Sequence, residues 1–188
     1  MKVVGISGSN VGTKTRIAMD YAIAEAKKKQ PQADITLIDL AEVDMAFSDG
    51  RDFRDYEGDT KRVAEVIMAA DALIIGTPVF HASIPATLKN VFDLLPQNAL
   101  REKVVGIFVT AGSPKHYLMV EHQLLPILTY MKAQVVPTYV FIEELDFDRK
   151  VIINDDVFFR LDRLIEDTFM MIDISKQVRE GKDDAYGF

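Results

Sequence analysis

Gly76-Thr77-Pro78-Val79-Phe80-His81-Ala82-Ser83-Ile84-Pro85 follows the apolar run Ala72-Leu73-Ile74-Ile75 and precedes a helical pattern that begins near Pro85. The run has the length and branching of a strand buried on both faces. A loop therefore leaves the end of a strand here and enters a helix. Pro78 and Pro85 restrict its backbone, and an aromatic and a histidine stand side by side at its tip. Such a loop lets a sheet present amide groups to a flat ligand.

Toward the N-terminus, Lys2 to Ser7 reads as a strand running into Gly8-Ser9-Asn10-Val11-Gly12-Thr13-Lys14-Thr15, a loop rich in glycine and hydroxyls. A helix follows from about Thr15 to Lys29, with Ile17, Tyr21 and Ala24 on one side, and Pro31 ends it. Asp34 to Leu40 alternates as a second strand. Residues 41–59 have no period and many charges, and a connection of that length in a compact domain is more often functional than idle. Thr60 to Ala70 is helical, with Val63, Val66 and Ile67 inward, and Asp71 to Thr77 is the strand that feeds the quoted loop.

Toward the C-terminus, the helix Ala86 to Leu95 places Leu88, Val91, Phe92 and Leu95 at helical spacing before Pro96. Lys103 to Val109 is a fourth strand, and it ends in the ligand-type loop Thr110-Ala111-Gly112-Ser113-Pro114. The helix expected from Lys115 to Met131 contains Pro126, which has no amide hydrogen for the carbonyl of His122, so a kink or bulge is predicted near 122. Gln134 to Phe141 reads as a fifth strand. After the acidic turn Glu143-Glu144-Leu145-Asp146, Val151-Ile152-Ile153 suggests an edge hairpin. Asn154 or Asp155 then caps a last helix to about Val178, with Phe158, Leu161, Leu164, Ile165 and Phe169 at core spacing. Residues 180–188 are expected to form a flexible tail.

Five strands alternating with five helices predict an α/β domain over residues 1–179, a doubly wound five-stranded parallel sheet with helices on both faces. Ligands should bind at the carboxyl ends of strands one, three and four, where the strand order switches. The unusual loops lie at those three ends.

A chain of 188 residues, 48% of them apolar, suits one hydrophobic core rather than two. A formal net charge of −7 argues against nucleic acid as a partner, and the basic cluster Lys27-Lys28-Lys29 complements the dipole at a helix end. The chain has no cysteine, which removes disulfides, thiolate metal sites and cysteine nucleophiles. His81, His116 and His122 have no second donor at metal-ligand spacing, so no metal site is assigned. The N-terminus runs straight into a strand, and ~18 consecutive apolar residues occur nowhere. A cytoplasmic protein without membrane association is expected.

The first loop reads as an anion site, with helix N-terminal amides, the hydroxyls of Ser7, Ser9, Thr13 and Thr15, and Lys14 nearby. The bland alternative is a simple helix cap, which needs one hydroxyl rather than four. A nucleotide P-loop is the sharper rival, because Gly8 and Thr13-Lys14-Thr15 fall one substitution from its pattern. Thr13 stands where that pattern's second glycine lets backbone approach the phosphates. The dinucleotide fingerprint and the serine-hydrolase elbow are both absent.

Ile6-Ser7-Gly8-Ser9 with hydroxyls at 13 and 15, Gly76 to Phe80 leading into Leu88-Lys89-Asn90-Val91-Phe92-Asp93-Leu94-Leu95, and Thr110-Ala111-Gly112-Ser113 together resemble the NAD(P)H-dependent FMN reductase family of flavodoxin-like proteins. The resemblance runs to about residue 170. It implies strand order 2-1-3-4-5 and an FMN phosphate held at Ser7, Ser9, Thr13, Lys14 and Thr15. It also implies a flavin ring lined by Thr77, Pro78, Val79, Phe80, His81 and Ser83, with Thr110, Ala111, Gly112 and Ser113 on its other edge. Two departures stand out. Phe80-His81 replaces the tyrosine and small polar residue of many relatives, and the third loop is less glycine-rich.

The implied reaction passes a hydride from NAD(P)H to FMN, then releases reduced FMN or reduces a quinone or azo acceptor, with no protein acid or base required. The implied partners are a second or further copies in a homodimer or homotetramer, with Lys89's helix at the contact, and a monooxygenase. Some relatives carry a π-type bulge at a tetramer interface, and His122 would occupy its place; a plain proline kink is the alternative. An electron carrier without enzyme activity and a P-loop NTPase are the competing functions. Arg16, Lys115 and Arg101 are candidate readers of a nicotinamide 2′-phosphate.

Overall fold

The computed structural model describes residues 1–186, with side chains through Glu180. Its central sheet contains β1 (Lys2–Ser7), β2 (Asp34–Asp39), β3 (Ala72–Pro78), β4 (Val104–Ala111) and β5 (Gln134–Val135), in the order β2-β1-β3-β4-β5. Every pairing is parallel, and β6 (Val140–Glu143) continues along the outer edge of β4. This is the flavodoxin-like order expected from the sequence. Parallel strands need crossovers, and four helices provide them: α1 (Lys14–Lys29), α2 (Gly58–Met68), α3 (Ala86–Leu94) and α4 (Leu125–Tyr130); α5 (Asp155–Tyr186) follows the last strand.

Alternation along each strand splits the apolar side chains between two cores. Val4, Ile6, Leu73, Ile75, Val105 and Ile107 pack under α2, α3 and α4. On the other face Val3, Ile74, Val104 and Phe108 meet α1 and α5. Both faces are covered, which is why β3 and β4 are buried along their whole length. Among the described residues, no helix is long and apolar enough to cross a membrane.

Several details differ from the sequence reading. The face of α1 on the sheet is Ala18, Met19, Ala22, Ile23 and Ala26. Ile17 and Tyr21 lie to the side against the second core, with Tyr21 4.7 Å from the Phe158 ring and its hydroxyl donating to Asp162 at 2.8 Å. Small residues on the inward face bring α1 close to the sheet. A Cβ on Gly5 would sit 2.6 Å from Ile23 Cδ1.

The fifth strand is broken. Pairing on β4 passes from Val105↔Val135 to Phe108↔Val140, so Val136 to Tyr139 lie opposite only Gly106 and Ile107. Pro137 in this stretch has no amide to donate to a ladder. The predicted hairpin is present as β7 (Phe147–Asp148) and β8 (Val151–Ile152), but it forms a two-stranded sheet of its own rather than an edge of the central sheet.

The helix expected from Lys115 to Met131 is made of three pieces. A 3₁₀ turn spans Pro114–His116, a π turn spans Val120–Leu124, and α4 follows. The N–H of Leu125 bonds to the Val120 carbonyl, immediately before Pro126, whose missing donor would otherwise interrupt the ladder. The bulge thus falls at 122 as predicted, and the His122 side chain is exposed at its centre.

The last helix is capped by Asn154, whose Oδ1 accepts from Asp156 N at 3.1 Å. It runs past Val178 to Tyr186, so most of the segment expected to be a tail is helical; residues 187–188 lie outside the described residues. The segment read as a connection over 41–59 is a pinned loop with a 3₁₀ turn at Phe53–Asp55, and its last two residues already belong to α2. The buried Asn90 donates to the Ala46 carbonyl at 2.9 Å and accepts from Ser48 N at 2.9 Å, acting in place of a backbone partner.

Candidate functional site

The carboxyl ends of β1, β3, β4 and β6 meet around a cleft of about 350 Å³. Val11, Gly12, Thr13, Lys14 and Thr15 form one wall, and Pro78, Val79 and Phe80 form a second. Thr110, Ala111 and Gly112 form the third, and Ile142, Glu143, Glu144 and Phe147 close the fourth. The volume lies in the range of small-molecule sites, and the apolar walls carry few polar groups, as such sites do.

The first wall is an open helix start. Thr13 occupies the N-cap of α1 without a capping hydrogen bond from its side chain, and the first turn contains no acidic residue. The amides of that turn therefore lack the partner a cap would supply, and the positive end of the helix dipole faces the cleft. Gly12 has φ +84°, a left-handed conformation that suits glycine, and a Cβ there would meet nothing within 4 Å. Ser9 is folded back on its own loop: its hydroxyl bonds to the Val11 carbonyl and accepts from Val11 N at 3.2 Å. Thr15 Oγ1 meets Thr110 Oγ1 at 2.7 Å. Ser7 Oγ is buried with no hydrogen-bond partner in the protein.

The second wall ends in a tight turn. Phe80 N donates to Ser83 O at 2.9 Å, and Ser83 N donates to Phe80 O at 3.0 Å. Both central residues have positive φ, His81 at 48° and Ala82 at 63°. This is type I′ geometry, which usually takes asparagine or glycine. Ser83 Oγ also donates to Gln123 Oε1 at 3.2 Å, joining the turn to the π turn. Val79 N bonds to Thr110 O at 3.0 Å, which locks the second wall to the third.

The cleft unites Thr13, Lys14, Thr15, Pro78, Val79, Phe80, Thr110, Ala111 and Gly112 of the expected residues. Ser7 and Thr77 are buried behind it, Ser9 is occupied within its loop, and His81, Ser83 and Ser113 stand outside its lining. His81 instead serves the turn with its backbone. The sequence reading omitted Val11, Gly12, Ile142, Glu143, Glu144 and Phe147. The signal for the last four was the same rule that located the first three loops, because β6 also ends at this edge.

Charge at the cleft is sparse. Arg16 is drawn away to Asp20 at 2.8 Å, Asp39 at 2.5 Å and Glu42 at 2.9 Å. Hydrogen bonds to Asp20 and Asp39 hold its guanidinium above its already high pKa. Arg101 precedes β4, on the side of its amino end, whereas Lys115 follows the carboxyl end of β4. Lys14 pairs with Glu144 and lies 5.3 Å from the Phe147 ring centroid.

An uncapped helix start beside a lysine, rigid backbone on two sides and apolar side chains meet in one cleft on a flavodoxin-like sheet. The residues fit a flavin mononucleotide. The family model for NADPH-dependent FMN reductases matches residues 1–146, and the chain belongs to that family. It is 44% identical over 150 residues to an NAD(P)H-dependent FAD/FMN reductase of Geobacillus thermodenitrificans, covering 80% of this chain and 81% of that protein. It is 30% identical over 155 residues to an FMN reductase (NADPH) of Pseudomonas aeruginosa, covering 82% of this chain and 83% of the relative. The solved apo form of an NADH:FMN oxidoreductase superposes with a TM-score of 0.76 at 29% identity, covering 90% of this chain and 89% of the other.

Proposed function

We propose that the cleft binds FMN and that the chain oxidises NADH or NADPH with it. The uncapped first turn of α1, opening on Thr13 and Lys14 at the end of β1, is the observation that carries this reading. FMN, when bound, supplies the hydride and electron chemistry. The protein binds and orients. Amides of residues 12–15 and the Thr13 hydroxyl take the phosphate, with Lys14 as counter-charge. Pro78 to Phe80 and Thr110 to Gly112 offer backbone to the ring's polar edges, and Phe80, 38% exposed, stands at the open side. No histidine lines the cleft, which suits a reaction that relies on position rather than proton transfer.

Lys115 is the candidate reader of a nicotinamide 2′-phosphate, since Arg16 is held by carboxylates. The same reading places the protein in the cytoplasm, where reduced nicotinamides are available, and gives it a monooxygenase, quinone or azo compound as electron acceptor. A homodimer or homotetramer through α3 and α4 accords with the groove of about 550 Å³ between them, lined by Phe92, Leu95, Pro126, Ile127, Tyr130 and Met131 among others. Sedimentation of the purified protein tests the assembly. Titration with FMN, followed by flavin fluorescence, and the oxidation of NADH and NADPH with and without FMN test the function. A protein that neither binds FMN nor oxidises either nicotinamide overturns the reading.

A further inference from the structure

We infer that Glu144 competes with the FMN phosphate for Lys14 and thereby makes the flavin exchangeable. The inference rests on the FMN reading above. The charged side chains lining the cleft are Lys14, Glu143 and Glu144, one cation against two carboxylates. A phosphate dianion therefore enters a site whose side chains carry the wrong net sign. Arg16, the next cation along α1, is already committed to Asp20, Asp39 and Glu42.

Glu144 is placed there by a built turn. Glu143 N donates to Asp146 Oδ2 at 2.8 Å, one half of a capping box between the two residues. Asn154 Nδ2 donates to Asp146 Oδ1 at 2.6 Å, and Ile153 N to Asp146 O at 2.8 Å. The turn is thus tied to the end of the β7–β8 hairpin and the start of α5. Its backbone holds Glu144 near Lys14, while the glutamate side chain, 60% exposed, keeps the freedom to rotate out. Exposed ion pairs of this kind are weak, so phosphate with the α1 amides displaces the carboxylate. The displaced carboxylate remains on the rim, where it repels the bound dianion. Lys14 then adds less to phosphate binding than an unpaired lysine would, and release is easy.

The test compares FMN with riboflavin, which shares the ring and lacks the phosphate. For Glu144→Gln, the FMN dissociation constant measured by fluorescence quenching should fall about threefold to tenfold, while that of riboflavin stays within about twofold. Glu144→Lys should move FMN further in the same direction. Stopped-flow displacement should show slower FMN release from both variants. Unchanged FMN affinity in the variants, or an equal change for riboflavin, overturns the inference and leaves the FMN site standing. Failure of the wild-type protein and both variants to bind either flavin overturns the FMN reading itself.

Discussion

The hydroxyls of Thr15 and Thr110 meet at 2.7 Å beneath the cleft, joining the first turn of α1 to the end of β4 across 95 residues of sequence. Both residues are buried in the cleft wall. Replacing one by valine keeps the shape and strands the other hydroxyl. Thr15→Val or Thr110→Val should each cost about 1–2 kcal/mol in urea unfolding. The double variant should cost less than the sum, because two apolar partners leave nothing unsatisfied. Strict additivity would show that the two hydroxyls do not interact.

Two glycines, Gly76 buried in β3 and Gly112 in the cleft wall, separate packing from binding. A Cβ on Gly76 would lie 2.2 Å from Cζ of the fully buried Phe108, so Gly76→Ala should destabilise by about 3 kcal/mol. Gly112 has nothing within 4 Å of such an atom, and Gly112→Ala should leave the melting curve nearly unchanged. The added methyl would stand at the cleft wall, so FMN affinity should fall in that variant alone.

The His81-Ala82 turn holds two side-chain-bearing residues at positive φ. Ala82→Gly and His81→Asn should each raise stability by about 0.5–1 kcal/mol, the relief of left-handed strain less the greater entropy of a freer unfolded chain. FMN affinity should hold in His81→Asn, because the histidine side chain is outside the cleft lining. A large loss of affinity would restore a direct role for the imidazole.

Asn90 carries the loop over residues 46–48 through both ends of its amide. Asn90→Ala should cost about 2 kcal/mol and speed proteolysis within residues 41–59, because two backbone groups lose their partner. Asn90→Asp retains the acceptor for Ser48 N but turns an oxygen toward the Ala46 carbonyl. It should be no milder.

Burial and the neighbouring Glu121 carboxylate push the Tyr139 hydroxyl above its ordinary pKa of 10.0. A phenol whose pKa is higher folded than unfolded contributes stability that is fully present below pH ~10 and lost as pH rises through the folded value. Tyr139→Phe should therefore be less stable near neutral pH, yet lose less with rising pH above ~10. Parallel alkaline unfolding curves for the two proteins would contradict this.

The sheet was legible because Ala72 to Ile75 and Val104 to Val109 are apolar at every position, which only burial on both faces explains. A kink or bulge near 122 was legible through Pro126, a residue that removes a specific hydrogen bond, but Pro126 alone did not separate the π turn from a plain kink. The face of α1 was not, since size suggested Ile17 and Tyr21 while close approach to the sheet selects alanines. The turn at 81–82 was hidden because neither residue advertises positive φ. The pairing of Lys14 with Glu144 was hidden for another reason: it exists only after β6 has been laid beside β4.

The break between β5 and β6 also bears on how the folded chain meets other chains. The outer edge of β4 is covered by two short pieces of two and four residues, separated by a stretch containing Pro137 that does not keep the ladder's register. Another extended chain would find no continuous row of free amides and carbonyls there to pair with. The opposite edge, β2, is a regular strand of six residues with aspartate at both ends. One edge resists fibril-like growth by broken geometry and the other by charge, so conditions that neutralise carboxylates should make β2 the edge where aggregation begins.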